Sequence, residues 1–162
     1  MRSLMLLSVA LTLSGQGIAQ TQPPPIVFMN ETVMSEARAL EVAEVTRQRF
    51  WGRVPGFDGR PLEPSSEQEK NSIPLPKWDL LYIAASASYA GDAAHCKVST
   101  AGAHLFRLQN QFRPKYMDEK RTQFALAYSI LIYQDVIVRM KDVKCSPERA
   151  EALREGIDFT AR

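Results

Sequence analysis

Segments whose apolar residues recur at helical spacing alternate along the chain with segments rich in Pro and Gly. The longest uninterrupted pattern runs from Asp118 to Cys145 and holds neither Gly nor Pro. Phe124, Tyr128, Leu131 and Val138 share one side of it, and Leu126, Ile130, Tyr133, Ile137 and Met140 another. A helix apolar on more than one side is ordinarily enclosed by others, so this segment is predicted to be the central helix of a bundle. Asp118 and Glu119 stand at its start, where carboxylates complement the positive end of the helix dipole.

Shorter patterns flank it. Residues 32–50 read as an amphipathic helix capped near Thr32 or Ser35, with Val33, Ala37, Leu40 and Ala43 on a narrow stripe, which places it on the outside of the bundle. Residues 78–94 read as a second long helix with Trp78, Leu81, Tyr82, Ala85 and Ser88 on one face. Its many alanines permit close helix packing, and Gly91 is expected to loosen the last turn. A third helix opens at Ser99 or Thr100, carries His104, Leu105, Leu108 and Phe112 on its apolar side, and stops at Pro114. Ser146 followed by Pro147 opens a final helix with Ala150, Leu153 and Ile157 to bury, ended by Gly156. The fold class is therefore all-α: a small helical bundle of about four to five helices.

Between the first and second helices lies a segment of different character. Residues 51–77 hold Gly52, Pro55, Gly56, Gly59, Pro61, Pro64, Pro74 and Pro76. Val54-Pro55-Gly56-Phe57 suits a turn with Pro and Gly at its central positions. Ser65 to Asn71 suits a single helical turn. A structureless connection of this length is uncommon within a domain. It is either a linker or a long loop packed on the bundle through Trp51, Val54, Phe57 and Leu62.

The N-terminus changes the picture of where the protein works. Arg2, an apolar run from Leu4 to Leu13, and Gly17-Ile18-Ala19 form a secretory signal over residues 1–19, with cleavage expected after Ala19. Residues 20–31 contain Pro23-Pro24-Pro25 and read as an extended Pro-rich segment. Asn30-Glu31-Thr32 also matches the glycosylation acceptor pattern, although a helix start explains it as well. Lys and Arg number 20 against 18 Asp and Glu, and the leader removes only Arg2. So even a balance argues against nucleic acid as a partner. No second apolar run is long enough to span a bilayer, so no membrane insertion is expected after cleavage. Periplasm or cell exterior is the expected location.

Export bears directly on the two cysteines. Cys96 and Cys145 are expected to form one disulfide. If the helices at 78–94, 99–112 and 118–144 run up, down and up, both cysteines arrive at the same end. The competing use of this region is a metal module built from His95, Cys96, His104 and Cys145. Adjacent His95-Cys96 is poor chelate spacing, and no C-x-x-C or H-x3-H pair is present, so neither a metal site nor any other cofactor is assigned. Nor does a G-x-S-x-G elbow or phosphate-binding loop occur.

Candidate chemistry is otherwise diffuse. Glu36, Glu41, Asp79, Asp92 and Asp135 are possible catalytic acids, and none is singled out by spacing. Asp135 interrupts the central apolar helix and is read as an ion pair with Arg139, four residues on. Tyr82, Tyr89, Phe106, Phe112, Tyr128 and Tyr133 are assigned to the core. The expected function is non-catalytic binding of a protein partner, or a structural role, outside the cytosol. The Gly/Pro-rich segment, with Trp51, Arg53, Phe57 and Arg60, is the candidate recognition arm. The alternative is a cell-envelope enzyme with carboxylates or His104 in an inter-helix cleft.

Overall fold

A computed structural model describes residues 33–159 of the protein. The signal read at 1–19, the Pro-rich segment 20–31, the acceptor pattern at Asn30 and the docking expected of the Ile157 and Phe159 side chains lie outside what it describes. Among the described residues all regular secondary structure is helical, with one isolated bridge, Pro55 to Pro61. The elements are α1 (Glu36–Phe50), α2 (Glu67–Lys70), α3 (Lys77–His95), α4 (Ala101–Asn110), α5 (Phe112–Tyr116), α6 (Glu119–Met140) and α7 (Pro147–Phe159). The predicted helical bundle is thus what forms.

Local chemistry sets the starts of these helices. Ser35 caps α1 by accepting from the Arg38 N–H at 3.2 Å, Ser66 caps α2 from Glu69, and Asp118 caps α6 from Arg121 at 2.8 Å. Each satisfies one of the donors that a helix start leaves without an internal partner. Ser146 does the same for Arg149, ahead of Pro147. Thr100 stands at the cap position of α4, yet its side chain makes no capping bond. Pro114 does not stop the third helix. The chain breaks at Gln111, and Pro114 falls in the first turn of α5, where its missing N–H costs nothing.

Contacts between helices fix the directions. Asp79 meets Lys115, Gly91 lies against Tyr133 and Val136, and Cys96 joins Cys145, so α3 and the α5–α6 segment run the same way. Tyr82 meets Gln111 and Tyr89 meets His104, so α4 runs back along α3. The expected up, down and up order follows, and the two cysteines meet with Cα atoms 5.4 Å apart. A bond closing a separation of 49 residues constrains the unfolded chain by roughly 4 kcal/mol in the chain-entropy model.

The core differs from expectation in which faces it uses. In α6, Phe124, Tyr128, Ile132, Val136 and Met140 are buried, while Ile130 is 42% and Val138 64% exposed. The enclosed stripe thus draws on both expected apolar sides of α6, and each of them also leaves a residue exposed. In α3 the buried stripe is Leu80, Ala84, Ala87 and Gly91, and Trp78 and Tyr82 face solvent. Gly91 loosens nothing, because α3 continues to His95. A Cβ there would stand 2.9 Å from the Tyr133 carbonyl oxygen and 3.0 Å from Val136 Cβ, so its absence lets α6 approach. Gly156 likewise lies inside α7 rather than at its end, against the Tyr89 hydroxyl.

The first helix is not peripheral. Ala39, Val42, Ala43, Thr46 and Phe50 turn inward, and Phe50 packs edge-on against Phe124 with ring centroids 5.3 Å apart. The fully buried Tyr128 donates its hydroxyl to the Ala39 carbonyl at 2.9 Å. Leu62 and Leu75 from the Gly/Pro-rich segment join the same core cluster as α1, α3 and α6. Of the two readings of 51–77, the packed loop is therefore the one that holds. One hydrophobic core runs from Val33 to Met140, and a smaller one beneath α7 gathers Ala93, Val98, Ala101 and Leu153.

Candidate functional site

The loop after α1 turns at Gly56–Gly59 and is stitched closed. Gly56 N–H donates to the Arg60 carbonyl at 2.7 Å, Gly59 N–H to the Gly56 carbonyl at 3.0 Å, and Leu62 N–H to the Val54 carbonyl at 2.9 Å. Phe57 and Asp58 thus sit at the centre of the turn, two residues later than Pro55 and Gly56 were expected to. The positive φ it requires falls on Gly59, at 80°. Gly56 is needed for a different reason: a Cβ there would lie 2.7 Å from Glu119 Oε1 and 3.2 Å from Leu62 Cδ2.

Glu119, in the first turn of α6, reaches over to accept from the Phe57 N–H. Lys120 beside it binds both Glu69 carboxylate oxygens at 2.8 Å and the Ser65 hydroxyl at 2.9 Å. Two neighbouring residues of α6 therefore hold opposite ends of the loop. Hydrogen bonds from Lys120 and Ser65 keep the Glu69 carboxyl below its ordinary pKa against a small opposing effect of burial.

Of the residues proposed for recognition, Phe57 stands out on this platform at 52% exposed, its ring beneath the Arg113 guanidinium at 4.8 Å. Arg53 is exposed, and Arg60 is exposed and pairs with Asp58 at 2.6 Å. Trp51 is placed differently. It is half-buried, stacks edge-on against Phe50 at 4.8 Å, and receives the Lys120 ammonium over its face at 5.3 Å. It anchors the root of the loop. Beside the turn is a depression of about 470 Å³ lined by Asp58, Arg60, Pro61, Leu62, Glu63 and Glu119.

Of the candidate acids only Glu41 and Asp135 are brought together, through a shared Arg38. Glu36 pairs with Lys77 at 2.6 Å, Glu41 with Arg38 at 2.7 Å, Asp79 with Lys115 at 2.7 Å and Asp92 with Arg149 at 2.8 Å. Asp135 takes the expected bond from Arg139 at 2.8 Å, and a second partner, Arg38 of α1, at 2.5 Å. Burial pushes its carboxyl upward, but the hydrogen bonds from the two arginines outweigh that and hold its pKa below the usual value. Arg139 also donates to the Val33 carbonyl at 2.5 Å, so this cluster fastens the start of the described chain to α6.

The His and Cys residues separate as well. Both sulfurs are in the disulfide, which leaves no thiolate for a metal, and among the described residues no group of three or more potential ligands converges. His95 Nε2 lies 2.7 Å from the Val143 carbonyl oxygen. His104 packs edge-on against Tyr89 at 5.7 Å, and burial, helped by the charge of Arg107, lowers its pKa. Two aromatics assigned to the core are on the surface: Phe106 at 62% exposed, and Tyr82, whose ring carries Lys115.

A second surface escaped sequence reading. Along the seam of α1 and α6 runs an open groove of about 360 Å³, floored by Val42, Val45, Leu131 and Val138 and edged by Arg38, Glu41, Arg49, Gln134 and Asp135. Its signal was Leu131 and Val138 on an apolar side of α6 that reads as a sign of enclosure. No protein-family model, curated protein or solved structure matches the chain.

Proposed function

We propose that this is an exported, non-catalytic binding protein that presents Phe57, with Arg53 and Arg60 nearby, to a protein partner. One observation carries the reading: a large aromatic side chain stands in solvent on a turn held by backbone hydrogen bonds and by Glu119. Aromatic and arginine side chains dominate the energetics of protein interfaces, and a pre-ordered anchor loses little entropy on docking. Trp51 contributes from below by fixing the root of the loop. The candidate acids are all engaged in ion pairs, and the two that share a groove, Glu41 and Asp135, are both bound to Arg38, which gives the catalytic alternative less support.

Export rests on the pattern of Arg2, Leu4 to Leu13 and Gly17-Ile18-Ala19, and a disulfide accords with an oxidising compartment. N-terminal sequencing of the protein recovered from its producing cell is expected to begin at Gln20. Retention of Met1 on the folded, disulfide-bonded protein would overturn the export half of the reading.

For the binding half, a photo-crosslinking residue is placed at position 57, and in a parallel protein at Lys141, just past the far end of α6. Adducts to another protein are expected at 57 and not at 141, and Arg113→Ala should reduce them severalfold. Equal labelling at both positions, or none at 57, rejects the turn as a recognition site.

A further inference from the structure

Beyond that reading, we infer that the α1–α6 groove is a self-association surface, in which α1 of one copy packs antiparallel against α1 of a second about a two-fold axis at Val45. The groove edge of α1 carries Arg38, Val42, Val45 and Arg49, separated by four, three and four residues, the spacing with which helices pair along a seam; Val42 is buried at its base, Arg38 and Val45 are half-buried, and Arg49 is exposed. The facing edge of α6 repeats it with Leu131, Asp135 and Val138. Two adjacent helices with such stripes form a seat for a third helix. Val138, 64% exposed, is the part of that seat most open to water.

The charges select the occupant. In an antiparallel pair centred on Val45, residues equally far before and after it face each other across the axis. Glu41 lies four residues before Val45 and Arg49 four after. Each Arg49 thus meets the Glu41 of the other copy, twice over by symmetry. Among the described residues Arg49 makes neither a hydrogen bond nor an ion pair, and it is exposed. Glu41 is held by Arg38 at 2.7 Å with its side chain still 62% exposed, so it has capacity for a second guanidinium. Asp135, which lines the same groove, accepts two arginines. Parallel packing in register would instead oppose Arg49 to Arg49 and Glu41 to Glu41, which charge repulsion disfavours. A second copy therefore satisfies the apolar floor and the unpaired cation together.

Sedimentation equilibrium of the full exported chain over a wide concentration range tests this. A monomer–dimer equilibrium that weakens with added salt is expected. Arg49→Glu and Glu41→Arg should each raise the dissociation constant by at least tenfold, and the double swap should return it to within about threefold of the parent. Circular dichroism melting of each variant verifies that these surface changes leave the fold intact. A cysteine at position 45 lies on the axis, so Val45→Cys is expected to give a covalent dimer on mild oxidation, whereas Ala103→Cys on α4 stays monomeric. A parent chain that remains monomeric at all concentrations overturns the inference. So does a dimer indifferent to the charge swaps, or one that forms only with a different protein in the groove.

Discussion

The two ends of the α3–α6 pair are closed by different means. At one end Cys96 and Cys145 are bonded, with His95 against the Val143 carbonyl and Asp92 against Arg149 of α7. At the other, the loop from Trp51 to Lys70 is tied to α6 by the Glu119 bond to Phe57, the Lys120 bonds to Ser65 and Glu69, and one cation–π contact. A disulfide acts on the unfolded chain and is indifferent to salt. Exposed ion pairs contribute about 1 kcal/mol or less and are screened. The covalent end is therefore expected to hold under salt, and the loop end to open more readily.

The largest expected effect comes from removing the covalent clasp. Cys96→Ser with Cys145→Ser is expected to cost roughly 4 kcal/mol, read as a fall in the urea midpoint at unchanged slope. The same change should abolish the contrast between the ends in hydrogen exchange, so that amides of α7 exchange as fast as those of the loop. If α7 stays protected without the disulfide, the Asp92–Arg149 pair and the small core around Leu153 carry that end instead, and the contrast drawn above is wrong.

Next in size is the close approach that makes α3 and α6 one unit. Gly91→Ala ordinarily gains helix propensity of about 1 kcal/mol. Here the added methyl meets backbone oxygen and a Cβ, neither of which can swing aside. A net loss of about 1–3 kcal/mol is expected from overpacking, measured by thermal or urea unfolding. Stabilisation by this substitution would mean the helices are free to separate.

These two sites mark how far the sequence was legible. The disulfide was readable because two cysteines in a chain read as exported have one expected use, and because short connections fixed the order of α3, α4 and α6. Asp135 with Arg139 was readable because they are four apart on one helix. Arg38 was not, since it lies 97 residues from Asp135 and only tertiary packing joins them. Gly91 was misread for the same reason: propensity reports the cost of a glycine to its own helix, not the space a neighbour needs. The stripe on α3 was set by Trp78 and Tyr82, the largest residues, yet the face that packs is the one with the smallest. Size marks burial only where there is room, and close helix contact removes that room.

A similar misreading at Gly156 gives a smaller and more diagnostic effect. The Tyr89 hydroxyl donates to the Leu153 carbonyl at 2.8 Å and occupies the space a Cβ at 156 would take. Gly156→Ala is expected to destabilise by about 1 kcal/mol, the value of the displaced hydrogen bond. In a Tyr89→Phe background the obstacle is gone, so the same substitution should stabilise by a few tenths to 1 kcal/mol through helix propensity. The change of sign, measured by a double-mutant cycle, isolates the contact. Additive effects would show that α7 can shift away from Tyr89, and that the covalent end is looser than the comparison holds.

The smallest effect is a slope with pH, and it belongs to the clipped half as well. Burial lowers the pKa of His104 below its ordinary 6.5, so on acidification the unfolded chain takes up a proton that the folded one does not. The unfolded state then binds more protons, and stability rises with pH wherever that holds. Stability should therefore fall as pH drops from about 6.5 toward the lowered folded value, and be flat above 7. His104→Gln removes the titration and should flatten the profile below 6.5, while leaving the loss at lower pH that follows protonation of Asp135 between its two arginines. Glu119 holds the Phe57 N–H at the loop end, so Glu119→Gln should shift the whole curve without changing its slope. If Glu119→Gln rather than His104→Gln changes the slope, the proton-linked weakness lies at the turn, and the loop end is more tightly coupled to the helices than its exposed contacts imply.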